Sequence, residues 1–254
     1  MKARFLTIDN EDQLEALKRI GAIVADVLEA MGAAIEPGMT TLELDDLGRR
    51  LLAEKGAVSA PEHCYDFPGA TCISVNEEVA HGIPGARVIR AGDLVNIDVS
   101  AVKGGVFADT GASFAVPPVA RLDERLMADG RKALWQGIKA VRSGQPLSAI
   151  GRNIERFADK SGYTLIRNLA SHGVGNALHE EPGTIPTWWE PRERRRIGEG
   201  MVFTIEPFLS TGSEWARESD DGWTLLGKSG TRTVQYEHTM VATRSGAVVV
   251  TLPS

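Results

Sequence analysis

Residues 94–114 read LVNIDVSAVKGGVFADTGASF and are typical of two antiparallel strands joined by a tight turn. Apolar and polar residues alternate over Leu94–Val99, as expected for a strand with one buried face. Gly104 and Gly105 tolerate the positive φ angles that a two-residue hairpin turn requires. The sequence therefore predicts a hairpin whose second strand runs over Val106–Phe114.

The register of this hairpin brings two carboxyl groups together. With a two-residue turn, Ser100 lies opposite Asp109, so Asp98 and Asp109 are diagonal neighbours on one face. Diagonal neighbours are roughly 7 to 8 Å apart at Cα, and like charges directed at one spot repel unless they are protonated or neutralised by a cation. A metal ion would resolve the repulsion. The alternative is that both carboxylates face solvent.

Helical periodicity flanks the hairpin on both sides. Two helices are predicted before the hairpin, at about 10–31 and 40–56, and two after it, at about 126–141 and 147–162. Two strands are predicted to follow, at about 201–207 and 233–243. Positions 105 residues apart carry similar residues, such as Leu42 and Leu147. This likeness favours a single domain, residues 1–254, made of two helix-helix-strand-strand halves at about 10–115 and 120–245.

The composition is that of an ordinary water-soluble globular protein, with 43% apolar and 24% charged residues in 254. A formal charge of -6 gives no reason to expect nucleic acid or an anionic membrane as a partner. The basic run at 192–196 is interrupted by Glu193 and is typical of a solvated loop. No stretch approaches the roughly 18 to 20 apolar residues of a membrane span, and the N-terminus lacks a signal-peptide core. We therefore expect a cytoplasmic protein.

The two cysteines, Cys64 and Cys72, fit neither a redox pair two residues apart nor a four-ligand zinc site. Reduced thiols in a reducing compartment are the simplest interpretation. The sequence has no obvious apolar surface patch, which favours a monomer.

Further candidate ligands lie downstream of the hairpin. Glu206 ends an apolar run, and Glu237 lies within the strand-like residues 234–241, where a purely structural strand rarely places a carboxylate. His172 and His179 are seven residues apart in a Gly-rich loop or bent strand, from which both can converge. Exposed edge positions remain the alternative for both glutamates. Structural roles are expected for His63 and His238, and spacing alone leaves His81 undecided.

Seven short motifs, in one order and with compatible spacing, resemble the type I methionine aminopeptidases. They are NEEVAHGIP at 76–84, NIDV at 96–99, ADT at 108–110, HGVG at 172–175, HEEP at 179–182, TIEP at 204–207 and QYEHT at 235–239. The resemblance spans almost the whole chain. It implies an α+β pita-bread fold, in which two pseudo-symmetric halves surround a central antiparallel sheet.

Carried over position by position, the resemblance implies two divalent metal ions and five ligands, with Asp109 and Glu237 bridging. The ligands are Asp98, Asp109, His172, Glu206 and Glu237. One imidazole and four carboxylates suit manganese, iron, cobalt or zinc. His81 and His179 match the catalytic histidines of the family. His81 is expected near the departing amide nitrogen, and His179 is expected to hydrogen-bond the oxyanion.

The implied reaction removes the N-terminal methionine from peptides and nascent chains. Two metals about 3.5 to 4 Å apart lower the pKa of a bound water towards about 7, so that hydroxide becomes the nucleophile. Glu206 is expected to act as general base, and His179 to stabilise the oxyanion. The substrate's α-amino group binds a metal as a neutral amine, so only the first residue is accepted. The ribosome is a candidate partner that the sequence does not decide.

The expected substrate pocket consists of Phe67, Cys72, Leu178 and Trp223. Cys72 and Trp223 match pocket positions of the family, whereas Leu178 stands where the bacterial pattern usually has Phe. Residues 61–67 also depart from the usual Cys and Tyr set, with Cys64 and Phe67 in its place. Such departures reshape a pocket by about 1 to 3 kcal/mol for a methylene-scale change. Methionine remains the expected side chain.

Two other functions are compatible with parts of this pattern. A related dinuclear exopeptidase could cleave another N-terminal residue or an X-Pro bond, as prolidase-like relatives do. Those relatives usually carry an extra N-terminal domain, whereas the first helix is predicted here from about residue 10. A pita-bread protein without catalysis could serve as a binding module. Its signature would be lost ligands, and all five ligand positions and both histidines are present.

Overall fold

Residues 6–254, which the computed structural model describes, contain five helices and fifteen strands. The helices are α1 (Glu11–Ala33), α2 (Thr41–Glu54), α3 (Ala60–Tyr65), α4 (Arg121–Ile138) and α5 (Ser148–Ser161). The strands are β1 (Val58–Ser59), β2 (Cys72–Val75), β3 (Glu78–Ala80), β4 (Leu94–Lys103), β5 (Val106–Ala115), β6 (Thr164–Leu165), β7 (Ser171–Gly173), β8 (Glu180–Ile185), β9 (Val202–Ile205), β10 (Phe208–Ser210), β11 (Arg217–Glu218), β12 (Leu225–Leu226), β13 (Thr233–Gln235), β14 (His238–Ala242) and β15 (Ala247–Val249).

The first two helices begin where the sequence predicts, and side chains cap both of them. The side chain of Asn10 accepts a hydrogen bond from the backbone N–H of Gln13 at 3.0 Å. At the start of α2, Thr40 and Glu43 each accept a hydrogen bond from the other's backbone N–H. These bonds satisfy donors that the first turn of a helix leaves unpaired, so each helix has a defined start.

β4 and β5 form the predicted hairpin. Gly104 (φ 60°) and Gly105 (φ 79°) both lie in the left-handed region that a two-residue turn of this kind requires. The register pairs Ser100 with Asp109, as the turn length predicts. Asp98 and Asp109 are therefore diagonal neighbours on one face of the hairpin.

The strand pairs of the described residues are antiparallel, and they form four hydrogen-bonded sheets. In one sheet β4 pairs with β1, β2 and β5, and a second has the order β15-β14-β9-β7-β8. The remaining sheets are β13-β10-β6 and β11-β12-β3. The hairpin meets the last part of the chain through hydrogen bonds from Asp109 N to Thr239 Oγ1 (3.0 Å) and from Thr110 Oγ1 to the Glu237 carbonyl (2.8 Å).

Two apolar cores hold the helices on these sheets. In one core, Leu17 and Val24 of α1 are buried together with Ile97 of β4. In the other, Leu126 of α4 is buried with Phe203 of β9. None of the helices in residues 6–254 has the length and apolar content of a membrane span.

The prediction of one continuous strand over 233–243 is wrong, because the structure has two strands there, β13 and β14. β13 pairs with β10 and β14 pairs with β9, so the chain leaves one sheet and enters another at Tyr236 and Glu237. The N–H of Glu237 donates to the carbonyl of Gly111 at 2.9 Å. Glu237 therefore lies in a break between two strands and not inside one, which frees its side chain from the alternation of a strand.

A short helix, α3, occupies residues for which no element is predicted. Ser59 caps it by accepting a hydrogen bond from the N–H of Glu62 at 3.3 Å, and the same hydroxyl donates to the carbonyl of Ala70 at 2.8 Å. Pro61 lies in the first turn, where its missing N–H costs nothing. Six residues are too few to show helical periodicity, so the cap and the proline are the only local signals.

Candidate metal centre

The hairpin supplies the first two acidic groups of the site. Asp109 is only 5% exposed, and Asp98 is half-buried beside it. Burial raises the pKa of Asp98 to about 6. Burial, followed by the charges of Glu237 and Asp98, raises the pKa of Asp109 well above its ordinary value. The predicted convergence of the two carboxyl groups is thus present, and the solvent-facing alternative is wrong.

β7 contributes a neutral imidazole. Nδ1 of His172 lies 3.0 Å from the carbonyl oxygen of Gly173, which can only accept, so Nδ1 carries the proton. The unprotonated Nε2 then faces Asp109 Oδ2 at 3.7 Å and Glu206 Oε1 at 3.5 Å. Burial lowers the pKa of His172 to about 3, so neither contact is an ion pair at neutral pH. A neutral imidazole whose other nitrogen is hydrogen-bonded is the form in which histidine binds metals.

The two glutamates reach the same place from the ends of strands. Glu206 follows β9, and its N–H donates to Ser171 Oγ at 3.0 Å while its Oε1 accepts from Thr204 Oγ1 at 3.2 Å. Glu237 lies between β13 and β14, and its Oε2 accepts from Gln235 Nε2 at 2.9 Å. Burial raises the pKa of both carboxyl groups well above the ordinary value, and neighbouring carboxylates add to the effect.

These groups fit a divalent cation. Ligand atoms of Asp109, His172 and Glu237 lie within 4.8 Å of one another, and all three residues are buried. Asp109 Oδ1 and Glu237 Oε1 are buried and have no hydrogen-bond partner within residues 6–254. A buried carboxylate oxygen without a partner is costly unless a cation neutralises it. An oxygen-rich donor set with one imidazole suits manganese, iron, cobalt or zinc, whereas copper(I) prefers sulfur.

His81 and His179, the other predicted site histidines, border this cluster. His179 precedes β8, and its ring centroid lies 4.0 Å from that of His172. Burial, followed by the charge of His81, lowers the pKa of His179 to about 4. His81 follows β3 with φ 53°, in the left-handed region, and burial also lowers its pKa. Both histidines are therefore neutral at neutral pH.

A cavity of about 580 Å³ opens beside the cluster. Its lining includes Asp98, Asp109, both histidines and the four predicted pocket residues Phe67, Cys72, Leu178 and Trp223. The rings of Phe67 and Trp223 meet edge to face with centroids 5.2 Å apart, so they form one aromatic wall. Burial raises the pKa of the Cys72 thiol well above its ordinary value, so the thiol stays neutral. The cavity thus combines apolar walls with a buried acidic cluster.

Two residues of the site were not predicted as such. The Tyr65 hydroxyl lies 2.7 Å from Nδ1 of His179, although the two residues are 114 positions apart. Gln235 donates from Nε2 to Glu237 Oε2 at 2.9 Å and to Asp98 Oδ2 at 3.3 Å. Gln235 belongs to one of the motifs that carry the family resemblance, whereas no local pattern in the sequence points to Tyr65.

Comparison with known proteins agrees with this geometry. A methionine aminopeptidase of Staphylococcus epidermidis is 44% identical over 247 residues, which cover 97% of this chain and 98% of the relative. Methionine aminopeptidase 2 of Bacillus subtilis is 42% identical over 97% of this chain and 99% of the relative. The crystal structure of methionine aminopeptidase from Rickettsia prowazekii superimposes with a TM-score of 0.93 at 32% identity, covering 98% of this chain and 100% of that one.

These similarities confirm the predicted resemblance and the predicted pita-bread fold. They also confirm that the chain is a hydrolase, and that it is of a family of enzymes that bind divalent metal ions. The sequence pattern of one metallopeptidase family matches residues 15–244, well over half of the chain. The chain therefore belongs to metallopeptidase family M24.

Proposed function

We propose that the protein removes the N-terminal methionine from peptides and nascent proteins by metal-dependent hydrolysis of the first peptide bond. The observation that carries the proposal is the meeting of Asp109, His172 and Glu237 within 4.8 Å, beside a cavity with apolar walls. Relatives at 42% and 44% identity over almost the full chain are methionine aminopeptidases, which supports the same substrate.

In this proposal five residues would hold two divalent ions. The residues are Asp98, Asp109, His172, Glu206 and Glu237. When bound, the ions supply Lewis-acid activation of water and of the peptide carbonyl. The raised pKa values of the buried carboxyl groups support this assignment, because burial and then mutual repulsion disfavour their charged forms, and a bound cation would offset both.

Glu206 is the proposed general base. Its carboxylate lines the cavity, and burial makes it a stronger base than a solvent-exposed glutamate. The hydrogen bond from Thr204 to Oε1 holds one oxygen in place at 3.2 Å, which leaves Oε2 to take the proton of the attacking water. The proton then passes from Glu206 to the departing amine.

We assign His81 and His179 to opposite ends of the breaking bond. His179 donates a hydrogen bond to the oxygen of the tetrahedral intermediate, where negative charge develops. His81, which also lines the cavity, would hydrogen-bond the departing amide nitrogen. Both roles suit neutral imidazoles, because each requires one N–H donor or one acceptor and no fixed charge.

Exopeptidase specificity follows from the position of the acidic cluster at the cavity. Asp98 and Asp109 line the cavity, so the ions they would hold would be open to a neutral α-amino group, the only group common to all chain N-termini. An internal peptide bond offers no such group. The neutral walls formed by Phe67, Cys72 and Trp223 then accept an unbranched, polarizable thioether side chain.

The test is mass spectrometry of short peptides that begin Met-Ala, Leu-Ala and Ala-Pro, each with manganese or cobalt and again with excess chelator. The proposal expects loss of one methionine from the first peptide, with metal only. Cleavage that persists in chelator would overturn the metal dependence. Preferred cleavage of the Leu-Ala or Ala-Pro peptide would instead favour the related exopeptidase specificities and overturn the methionine assignment.

The proposal includes a cytoplasmic location, a monomeric form and the ribosome as a candidate partner. Both cysteines, Cys64 and Cys72, are unpaired, which suits a reducing compartment. Cell fractionation, sedimentation velocity and co-sedimentation with ribosomes test these three points separately. A dimer in sedimentation, for example, would overturn the monomer and leave the activity untouched.

A further inference from the structure

The hydroxyl of Tyr65 lies 2.7 Å from Nδ1 of His179, and no other hydrogen-bond partner of either atom occurs within residues 6–254. The two rings are tilted by 53° with centroids 5.6 Å apart, so they are not stacked and meet through the hydroxyl. We propose that Tyr65 is a positioning residue that donates to Nδ1 of His179 and thereby places the imidazole proton on Nε2. This inference rests on the proposed function, in which Nε2–H of His179 faces the reacting carbonyl.

The 2.7 Å distance shows that the Tyr65 hydroxyl and Nδ1 of His179 share a hydrogen bond. The proposal assigns the shared proton to the hydroxyl, so that Nδ1 is the unprotonated acceptor. Burial and the nearby acidic charge of Asp109 raise the pKa of Tyr65, which keeps its proton in place.

A neutral imidazole has one N–H and one lone pair, so accepting at Nδ1 requires the proton to be on Nε2. His172 shows the opposite arrangement, since its Nδ1 donates to the Gly173 carbonyl and its Nε2 is unprotonated. The two adjacent rings, 4.0 Å apart, are thus held in different tautomers by different partners. His172 presents a lone pair at Nε2, which suits a cation. His179 presents an N–H at Nε2, which suits an oxyanion.

Both partners of the hydrogen bond are braced by the fold. Tyr65 ends α3, whose start is fixed by the Ser59 cap and whose Glu62 accepts from Arg49 of α2 at 2.6 Å. On the other side, His179 is followed by Glu180, whose Oε1 accepts the N–H of Leu6 at 2.7 Å. These hydrogen bonds fix the backbone next to Tyr65 and the backbone next to His179. The distance between the Tyr65 hydroxyl and Nδ1 of His179 is therefore fixed as well.

Tyr65 is 43% exposed, and in the free protein water competes for its hydroxyl. A substrate that fills the cavity excludes this water, so the hydrogen bond orients His179 mainly in the complex. Loss of the hydroxyl should therefore lower kcat and leave KM nearly unchanged, because the oxyanion exists only after attack.

The experiment compares Tyr65→Phe with the wild type on a peptide that begins Met-Ala. We expect kcat to fall about tenfold and KM to stay within about twofold, as for loss of one orienting hydrogen bond. Tyr163→Phe is the matched control. The Tyr163 hydroxyl donates to Asp129 at 3.3 Å and does not line the cavity, so kcat should stay within about twofold of the wild type.

A second readout is independent of turnover. The chain has five histidines, so selective ¹⁵N labelling resolves each ring in the zinc-loaded protein, with a His179→Asn variant for assignment. In the wild type, only Nε2 of His179 should carry a proton, and in Tyr65→Phe the spectrum should shift towards a mixture of tautomers. Unchanged signals of His238 show that the variant is folded.

A proton on Nδ1 of His179 in the wild type would overturn the inference. So would a Tyr65→Phe variant whose kcat and His179 spectrum both match the wild type. Failure of the wild type to release methionine overturns the proposed function and not the pairing, because the spectrum does not depend on turnover. The two failures are therefore distinguishable.

Discussion

The side-chain amide of Gln235 lies 2.9 Å from the carboxylate of Glu237, only two residues further along the chain. The same nitrogen lies 3.3 Å from Asp98 Oδ2, and Oε1 of Gln235 accepts from Asn96 Nδ2 at 2.8 Å. One amide therefore joins a carboxylate of the hairpin to a carboxylate of the final strands. Since Asn96 fixes which end of the amide is the donor, the two acidic groups are held at a set separation.

Replacing this amide should weaken metal binding. Gln235→Met keeps the length of the side chain and removes both the donor and the acceptor. Loss of a group that orients metal ligands typically lowers affinity about 10- to 100-fold, and we expect a loss of that size for manganese or cobalt by isothermal titration calorimetry. Gln145→Met, at an exposed position, is the control. Affinity equal to that of the wild type would show that Gln235 does not orient the carboxylates.

Glu206→Gln should abolish most of the activity without unfolding the protein. The amide keeps the size of the side chain and can still accept from Thr204 at about the same distance, 3.2 Å in the wild type. It cannot take a proton from water, so kcat should fall about 10²- to 10⁴-fold, as for loss of a general base.

The kinetic assay of Glu206→Gln should use saturating metal, because Glu206 is also a proposed ligand. Glu199→Gln serves as the matched control, since Glu199 is exposed and lies 3.7 Å from the exposed Arg244. Circular dichroism confirms the fold of both variants. Full activity of Glu206→Gln would refute the assigned role.

The acidic pair of the hairpin was predictable because its geometry is local. Gly104 and Gly105 determine the turn, the turn determines the register, and the register places Asp98 diagonal to Asp109. Local sequence marks Glu206, Glu237 and His172 as candidate ligands, but only the family resemblance predicts that they join the acidic pair, because each reaches the site through strand pairing far along the chain. Periodicity cannot report such distant contacts.

Two other features could not be predicted, because they too depend on contacts between distant residues. They are the break between β13 and β14 and the contact between Tyr65 and His179. Glu237 leaves its strand because its N–H finds the Gly111 carbonyl, a residue 126 positions away. Tyr65 and His179 are 114 positions apart. Their local sequences carry no sign of either contact, since both depend on how separate sheets meet.

The chelator-treated protein should lose stability as the pH rises above about 6.5. Burial raises the pKa values of Asp109, Glu206 and Glu237, so the folded protein keeps protons that the unfolded chain has already released. Stability from such groups is fully present at low pH and is lost as the pH rises through the folded pKa. Asp98, with a pKa of about 6, contributes with the same sign at lower pH.

The histidines act in the opposite sense, but only at lower pH. The pKa values of His172 and His179 are lowered to about 3 and about 4, so stability from these groups is lost as the pH falls below the ordinary value of 6.5. Urea unfolding in chelator should therefore give a smaller free energy of unfolding at about pH 8 than at about pH 6.5. Excess manganese should reduce the difference, and a rise with pH in chelator would contradict the prediction.

Trp223→Ala should impair methionine-specific cleavage more than cleavage in general. The indole forms the aromatic wall with Phe67, their centroids 5.2 Å apart, and this wall faces the cavity. Contact between a thioether sulfur and an aromatic ring is favourable, and loss of a pocket contact costs about 1 to 3 kcal/mol. We expect kcat/KM for a peptide that begins with methionine to fall about 10- to 200-fold, measured by released methionine.

A peptide that begins with alanine provides the internal comparison for Trp223→Ala, because its methyl group cannot reach the wall. Its kcat/KM should change less than that of the methionine peptide. Trp215→Ala is the matched variant, since Trp215 is 63% exposed and does not line the cavity. An equal fall for both peptides would mean that Trp223 supports the reacting groups and not the side-chain pocket, because only a pocket residue distinguishes the two substrates.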